Sequence, residues 1–224
     1  MIPLYDTLRP RRFALVNWLI ILLNALVFYY ELRLGNAGLE RFIQTWGLVA
    51  PNLITHPDTA WPTIFTSMFI HGGWFHILSN MWVLFIFGDN IEDRLGHLRY
   101  LFFYLLSGVA AALLQSFILR ESSMPMVGAS GAIAGVLGAY LVLFPRARVA
   151  SLVPILFIFT IVEIPAILFL AFWFISQLFS GLFVLNGGGG SGVAWWAHVG
   201  GFLFGMVAGL LLAPRQRYPQ IYTK

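Results

Sequence analysis

The chain has 224 residues, 59% of them hydrophobic and 10% charged, and a mean hydropathy of +0.83. Soluble domains carry about 25% charged residues, so there are too few charges here to coat a water-facing surface, and an integral membrane protein is implied. The absence of cysteine excludes a disulfide framework and a thiolate metal site, and the net charge of +4 says nothing of nucleic acid until the charges are placed.

Residues 1–12 are short and polar and carry Arg9, Arg11 and Arg12. The apolar run 13–32 is long enough to cross a bilayer as a helix. It is too long for a signal-peptide core and lacks a clear small-residue cleavage site, so no cleavable signal is expected. Asn17 and Asn24 interrupt it, which turns one side toward protein. Residues 33–73 hold Pro51, Pro57, Pro62, several charges, Trp46 and Trp61. This stretch is too broken to span and reads as a long interfacial loop, where tryptophan is favoured. Further spans are predicted at 74–91, 98–119, 127–144, 152–179 and 193–213, the fifth with Pro154 and Pro165 inside it and the sixth preceded by the flexible glycine run 187–190.

The sequence therefore predicts an all-α membrane protein, a six-helix bundle forming a single domain over 1–224. Six spans put both termini on one side of the membrane. Arg9, Arg11, Arg12, Arg94, Arg99, Arg146, Arg148, Arg215, Arg217 and Lys224 fall on that side, and only Arg33, Arg41 and Arg120 on the other. The positive-inside rule makes the terminal side cytoplasmic. The basic residues are then topological anchors, which accounts for the net charge, and no nucleic-acid partner is expected.

Polar residues inside a span are functional suspects. His76 and Asn80 in span two, Ser130 in span four and His198 in span six all lie near the outer ends of their spans, within roughly 10 Å of one level. His76 and Asn80 share a helix face. Ser130, Ala134 and Gly138 form a stripe of small residues beside Gly131 and Gly135, and His198, Gly201, Gly205 and Gly209 form another. Two such stripes pack with their backbones almost touching, which would set Ser130 beside His198. A serine next to a neutral imidazole is a nucleophile with its general base. Asn80, His76 and the Ser130 backbone N–H are available as oxyanion donors. No carboxylate lies at this depth to orient His198, so a dyad is expected, with helix packing fixing the ring.

Gly128-Ala129-Ser130-Gly131, His198-Val199-Gly200-Gly201-Phe202-Leu203-Phe204-Gly205 and His76-Ile77-Leu78-Ser79-Asn80 resemble the nucleophile, histidine and His-x-x-x-Asn motifs of the rhomboid family of intramembrane serine proteases. Glu92-Asp93-Arg94-Leu95-Gly96 is similar to the turn that follows the second span in that family. The resemblance runs from the first span to the last. It implies a rhomboid-like bundle in a plasma or inner membrane, with no cofactor or metal. It implies cleavage of single-pass membrane proteins near the outer face, with small residues at the cut. It also implies a gate and cap, here Phe172, Trp173 and the 187–190 run. An aromatic that stacks on the histidine in some members is replaced by Ala134, which leaves Trp195 or Trp196 to hold His198.

Taken singly, Ser130 reads as a packing residue, His76 and His198 as satisfied or interfacial histidines, and Asn80 as helix glue. His71 reads as an interfacial loop residue, and His56 and His97 as solvent-facing. Glu163 reads as a residue of the inner half of span five, and Glu92 and Arg94 as a structural pair. A transporter lined by His76, Asn80 and His198 lacks the internal repeat such proteins often show. An inactive client-binding relative usually lacks the serine or histidine. A metal hydrolase built on His71, His76 and His198 lacks an acidic third ligand and the right spacing.

Overall fold

A computed structural model describes residues 1–155, 158–188 and 192–213. In chain order it has β1 (Ile2–Asp6), α1 (Leu15–Arg33), α2 (Gly35–Trp46), α3 (Ala50–Thr55), α4 (Pro57–Ala60), α5 (Thr63–Thr66), a 3-10 turn (Ser67–Phe69), α6 (Trp74–Leu95) and α7 (His97–Ile118). Then follow α8 (Ser130–Leu143), β2 (Arg148–Ile155), β3 (Ile158–Pro165), α9 (Ala166–Leu185) and α10 (Trp195–Leu212). Among the described residues α1, α7, α9 and α10 are long and apolar enough to cross a bilayer. The α5–3-10 segment and α6 pass together as a pair bent by 94°. With 14 residues, α8 is about 21 Å long, shorter than a full span. It sits at the centre of the bundle, buried continuously from Gly131 to Tyr140.

The polar pattern is inverted relative to a soluble protein. On α1, Asn17, Asn24 and Glu31 repeat every seven residues and are buried, while Leu19, Leu22 and Leu26 face outward. Such a face is stable in lipid, where the polar groups need internal partners. The Asn17 amide donates to Leu84 O and its oxygen accepts from the Tyr100 hydroxyl. The first turn of α1 is held by Glu92, whose carboxylate accepts the Val16 and Asn17 N–H groups at 2.9 and 2.7 Å. That places a negative charge at the positive end of the helix dipole. The partners of Glu92 are thus α1 and the His97 ring, not the expected Arg94. His97 is exposed, as expected, while its Nδ1 meets the Glu92 carboxylate. Gly96 makes the tight α6–α7 turn at φ +82°, a conformation that favours glycine.

The expected all-α bundle is corrected by an antiparallel sheet in the order β1-β2-β3. Residues 1–12 are not merely polar: Ile2 pairs with Leu152 and Asp6 with Val149. Span five does not begin at 152, because β2 and β3 form a hairpin and the helix runs from Ala166 to Leu185. Val149, Val153, Ile161, Val162 and Ile164 are β-branched and suit a strand. Pro154 and Pro165 would each break a helix drawn through them, and Pro165 instead caps α9. Glu163 therefore belongs to β3, exposed and 4.0 Å from Arg148, and not to a membrane helix. The 33–73 loop is likewise replaced by α2 to α5 and the 3-10 turn. The basic residues 215, 217 and 224, and positions 189–190 of the glycine run, lie outside the described residues.

Asp6 ties the sheet to the bundle. Its carboxylate accepts from Leu8 N, Asn90 Nδ2 and the Tyr140 hydroxyl. Burial pushes its carboxyl from the usual 3.8 up to about 7, with the charge of Asp89 adding to the shift and the Tyr140 bond opposing it. The folded protein then keeps this proton to about pH 7, while the unfolded chain loses it near 3.8. The group's contribution to stability is complete at acid pH and is lost as pH rises through that window. Asp6→Asn cannot ionise and keeps an acceptor for Tyr140. It is expected to melt above the parent at pH 8, with the difference vanishing toward pH 4, as read by thermal unfolding at both pH values.

Candidate active site

Three segments converge on the start of α8. The Leu48 and Met126 backbones exchange hydrogen bonds of 3.0 and 2.8 Å, and Gly128 N donates to Ser67 O at 2.8 Å. These bonds fix the approach to the helix. Gly128 then turns with φ +116°, and a side chain there would meet His76 Nε2 at 2.4 Å. Ser130 opens α8, so its backbone N–H belongs to the first turn, which has no intrahelical acceptor.

The α8–α10 seam is as close as two backbones allow. A Cβ on Gly201 would lie 1.9 Å from Gly131 O, and one on Gly205 would lie 1.9 Å from Gly135 O. Across this seam the structure brings His198 Nε2 to 2.8 Å from Ser130 Oγ. On the other side of Gly128, His76 Nε2 and Asn80 Nδ2 point to the same place, the latter 3.7 Å from the position of a Cβ on Gly128. Asn80 Nδ2 is buried without a hydrogen-bond acceptor. An unpaired buried donor costs about 1–3 kcal/mol, a cost that an incoming oxyanion would offset. Ser67, Met68, Gly128, Ser130 and Ala197 border a cavity of about 20 Å³ beside the hydroxyl.

His198 is oriented by a residue that sequence reasoning missed. Its Nδ1 lies 2.8 Å from Gln177 Oε1. The Gln177 NH₂ donates to Trp173 O and Ser176 Oγ, which turns the amide oxygen toward the ring. Nδ1 must then carry the proton, and Nε2 is left as the acceptor for the Ser130 hydroxyl. The signal was present, since Gln177 is a lone amide in the apolar helix α9. Trp195 meets His198 edge-on at 6.0 Å, as expected, and Trp173 covers it at 5.8 Å. Trp196 instead packs beside Gly181. Of the two gate candidates, Phe172 faces outward and Trp173 faces the histidine. His71, expected at the interface, is fully buried against His76. His56 is exposed, as expected.

Gln177→Leu removes this orienting acceptor and leaves Nδ1–H buried and unpaired. The loss of about 1–3 kcal/mol corresponds to a turnover slower by about five- to 150-fold. A steady-state assay should show it in kcat, with KM little changed.

The fold and site define a helical membrane-type bundle in which a partly buried serine meets a buried histidine at a glycine seam. Residues 58–215 match the rhomboid family's domain, and the chain belongs to that family. It is similar to RHOMBOID-like protein 4 of Arabidopsis thaliana, at 31% identity over 79% of this chain and 40% of that protein. RHOMBOID-like protein 1 of the same plant is 35% identical over 44% of this chain and 25% of its own length. Rhomboid protein 1, mitochondrial, of Saccharomyces cerevisiae is 28% identical over 75% of this chain and 46% of its own. The chain thus spans between a quarter and a half of the length of these relatives.

Proposed function

We propose that the chain is an intramembrane serine endopeptidase that cuts single-pass membrane proteins near the outer face of a plasma or inner membrane. The observation that carries this reading is the 2.8 Å contact between Ser130 Oγ and His198 Nε2, with the tautomer set by Gln177. Ser130 attacks the scissile carbonyl while His198 takes its proton, then returns it to the leaving amine. His76, Asn80 and the Ser130 N–H receive the oxyanion. Water then releases the acyl group by the reverse proton path. No step calls for a cofactor or metal.

In this reading six segments cross the membrane and both termini are cytoplasmic, with the sheet on the cytoplasmic side. Entry of substrate is lateral, between α6 and α9. These helices stack through Phe87, in the second half of α6, and Phe169, in the first turn of α9. Toward the site end α6 presents Phe75 and Leu78 outward, and α9 presents Phe172.

The test is reaction of the reconstituted protein with a fluorophosphonate, together with cleavage of a single-pass test substrate in liposomes. A covalent adduct on Ser130, lost in His198→Ala, is expected alongside cleavage. An inactive client-binding relative or a transporter would give neither.

A further inference from the structure

The reading of His76 as an oxyanion donor leaves open what holds its ring in place. Three buried contacts lead to it from α1. Glu31, 2% exposed in the last turn of α1, accepts the His71 backbone N–H on both carboxylate oxygens at 3.1 and 3.3 Å. His71 is fully buried, and its Nδ1 lies 3.3 Å from Phe69 O. A carbonyl only accepts, so Nδ1 bears the proton and Nε2 is bare, with no hydrogen-bond partner. The His71 ring then stands edge-to-face against His76, 5.0 Å between centroids at 64°. His76 in turn places Nε2 against Gly128.

The same end of α1 grips the other side of the bend. Phe28, one turn before Glu31, packs edge-on to Trp74, the first residue of α6, at 5.0 Å. Glu31 thus holds the chain just before Gly72-Gly73 and Phe28 holds it just after. A side chain at Gly72 or Gly73 would meet open space, so the packing that holds the 94° bend comes from these flanking residues. His76 is only half-buried and lies in the first turn after this bend. Its ring position depends on what the bend and His71 impose.

We propose that Glu31 and His71 are positioning residues for the oxyanion site, acting through His76. The proposal rests on the protease reading. Glu31 sets the His71 backbone, and the His71 ring sets the plane of His76. A burial role alone would not need the carboxylate to meet that one amide. The role is in turnover and not in substrate binding, because neither residue lies on the α6 face offered to a substrate helix.

The experiment is a double-mutant cycle in liposomes, reading kcat, KM, the rate of fluorophosphonate labelling and the melting temperature. Glu31→Leu and His71→Ala are each expected to lower kcat and labelling about ten- to a hundredfold, the scale of a catalytic group misplaced by 1 Å, with KM unchanged. Glu31→Gln keeps an acceptor for the His71 amide and should restore most of the rate. In a His76→Ala background neither change should slow kcat further, since the group they position is gone. His71→Ala leaves the Glu31 bond to the backbone intact, so it carries the test should Glu31→Leu not fold. Full multiplication of the losses with that of His76→Ala overturns the proposal, as does a fall in melting temperature with kcat intact. If His76→Ala itself runs at the parent's kcat while Ser130 still labels, His76 is no oxyanion donor, and that reading fails before the proposal is reached.

Discussion

Ser130→Ala is expected to abolish cleavage, by a factor of about 10⁴ to 10⁶ when compared with the parent in the same liposomes. In the proposed mechanism this hydroxyl is the group that forms the acyl bond. Removing it leaves His198 Nε2 with no proton to accept, 2.8 Å from an empty position. The oxyanion donors would remain and could still favour direct attack by water, which is why a residual rate above the uncatalysed one is compatible with the mechanism. His198→Ala should cost nearly as much. The two losses should not multiply if, as proposed, the serine and histidine act as one unit. The fold should survive, since alanine at 130 fills no less of the seam than its neighbour Ala129. A Ser130→Ala protein that cleaves within tenfold of the parent, with an equal melting temperature, would remove Ser130 from the chemistry.

The juxtaposition of Ser130 and His198 was legible because both signals are local. Small residues at fourfold spacing announce a close helix contact, and a polar residue on that stripe must meet whatever faces it. Asn80 and His76 were legible for the same reason: a helix period puts them on one face. The hairpin was not, because hydropathy sums the same whether an apolar run is strand or helix. The information lay in the β-branched residues of 149–164 and in Pro154 and Pro165, which outweigh hydropathy once tertiary pairing with residues 2–6 is available. That pairing spans about 145 positions and leaves no periodic trace in either partner. Gln177, His71 and Glu31 share another limitation. Each is visible as a polar residue among apolar ones, but its partner is set by how α9, α6 and α1 pack.

A second large effect is expected from Gly205→Ala, although the residue touches no reacting atom. The added methyl would sit 1.9 Å from Gly135 O and 2.6 Å from Gly135 Cα. Both are backbone atoms of the central helix, so no rotamer change relieves the clash, and α8 and α10 must part by about 1.5 Å to reach ordinary contact. Gly205 lies two turns from His198 and Gly135 lies one and a half from Ser130, so the separation is passed up the seam to the pair. The Oγ–Nε2 bond then exceeds hydrogen-bonding range, and a shift of 1 Å in a catalytic group costs about a hundredfold. Gly209→Ala is the informative contrast. Its methyl would meet the Ala139 side chain at 2.8 Å, one turn further from the site. It should lower the melting temperature in the same direction but reduce cleavage and Ser130 labelling far less. If Gly205→Ala labels and cleaves like the parent, the seam yields more readily than its backbone contacts require. The glycines would then be filling space and not setting the distance between serine and histidine.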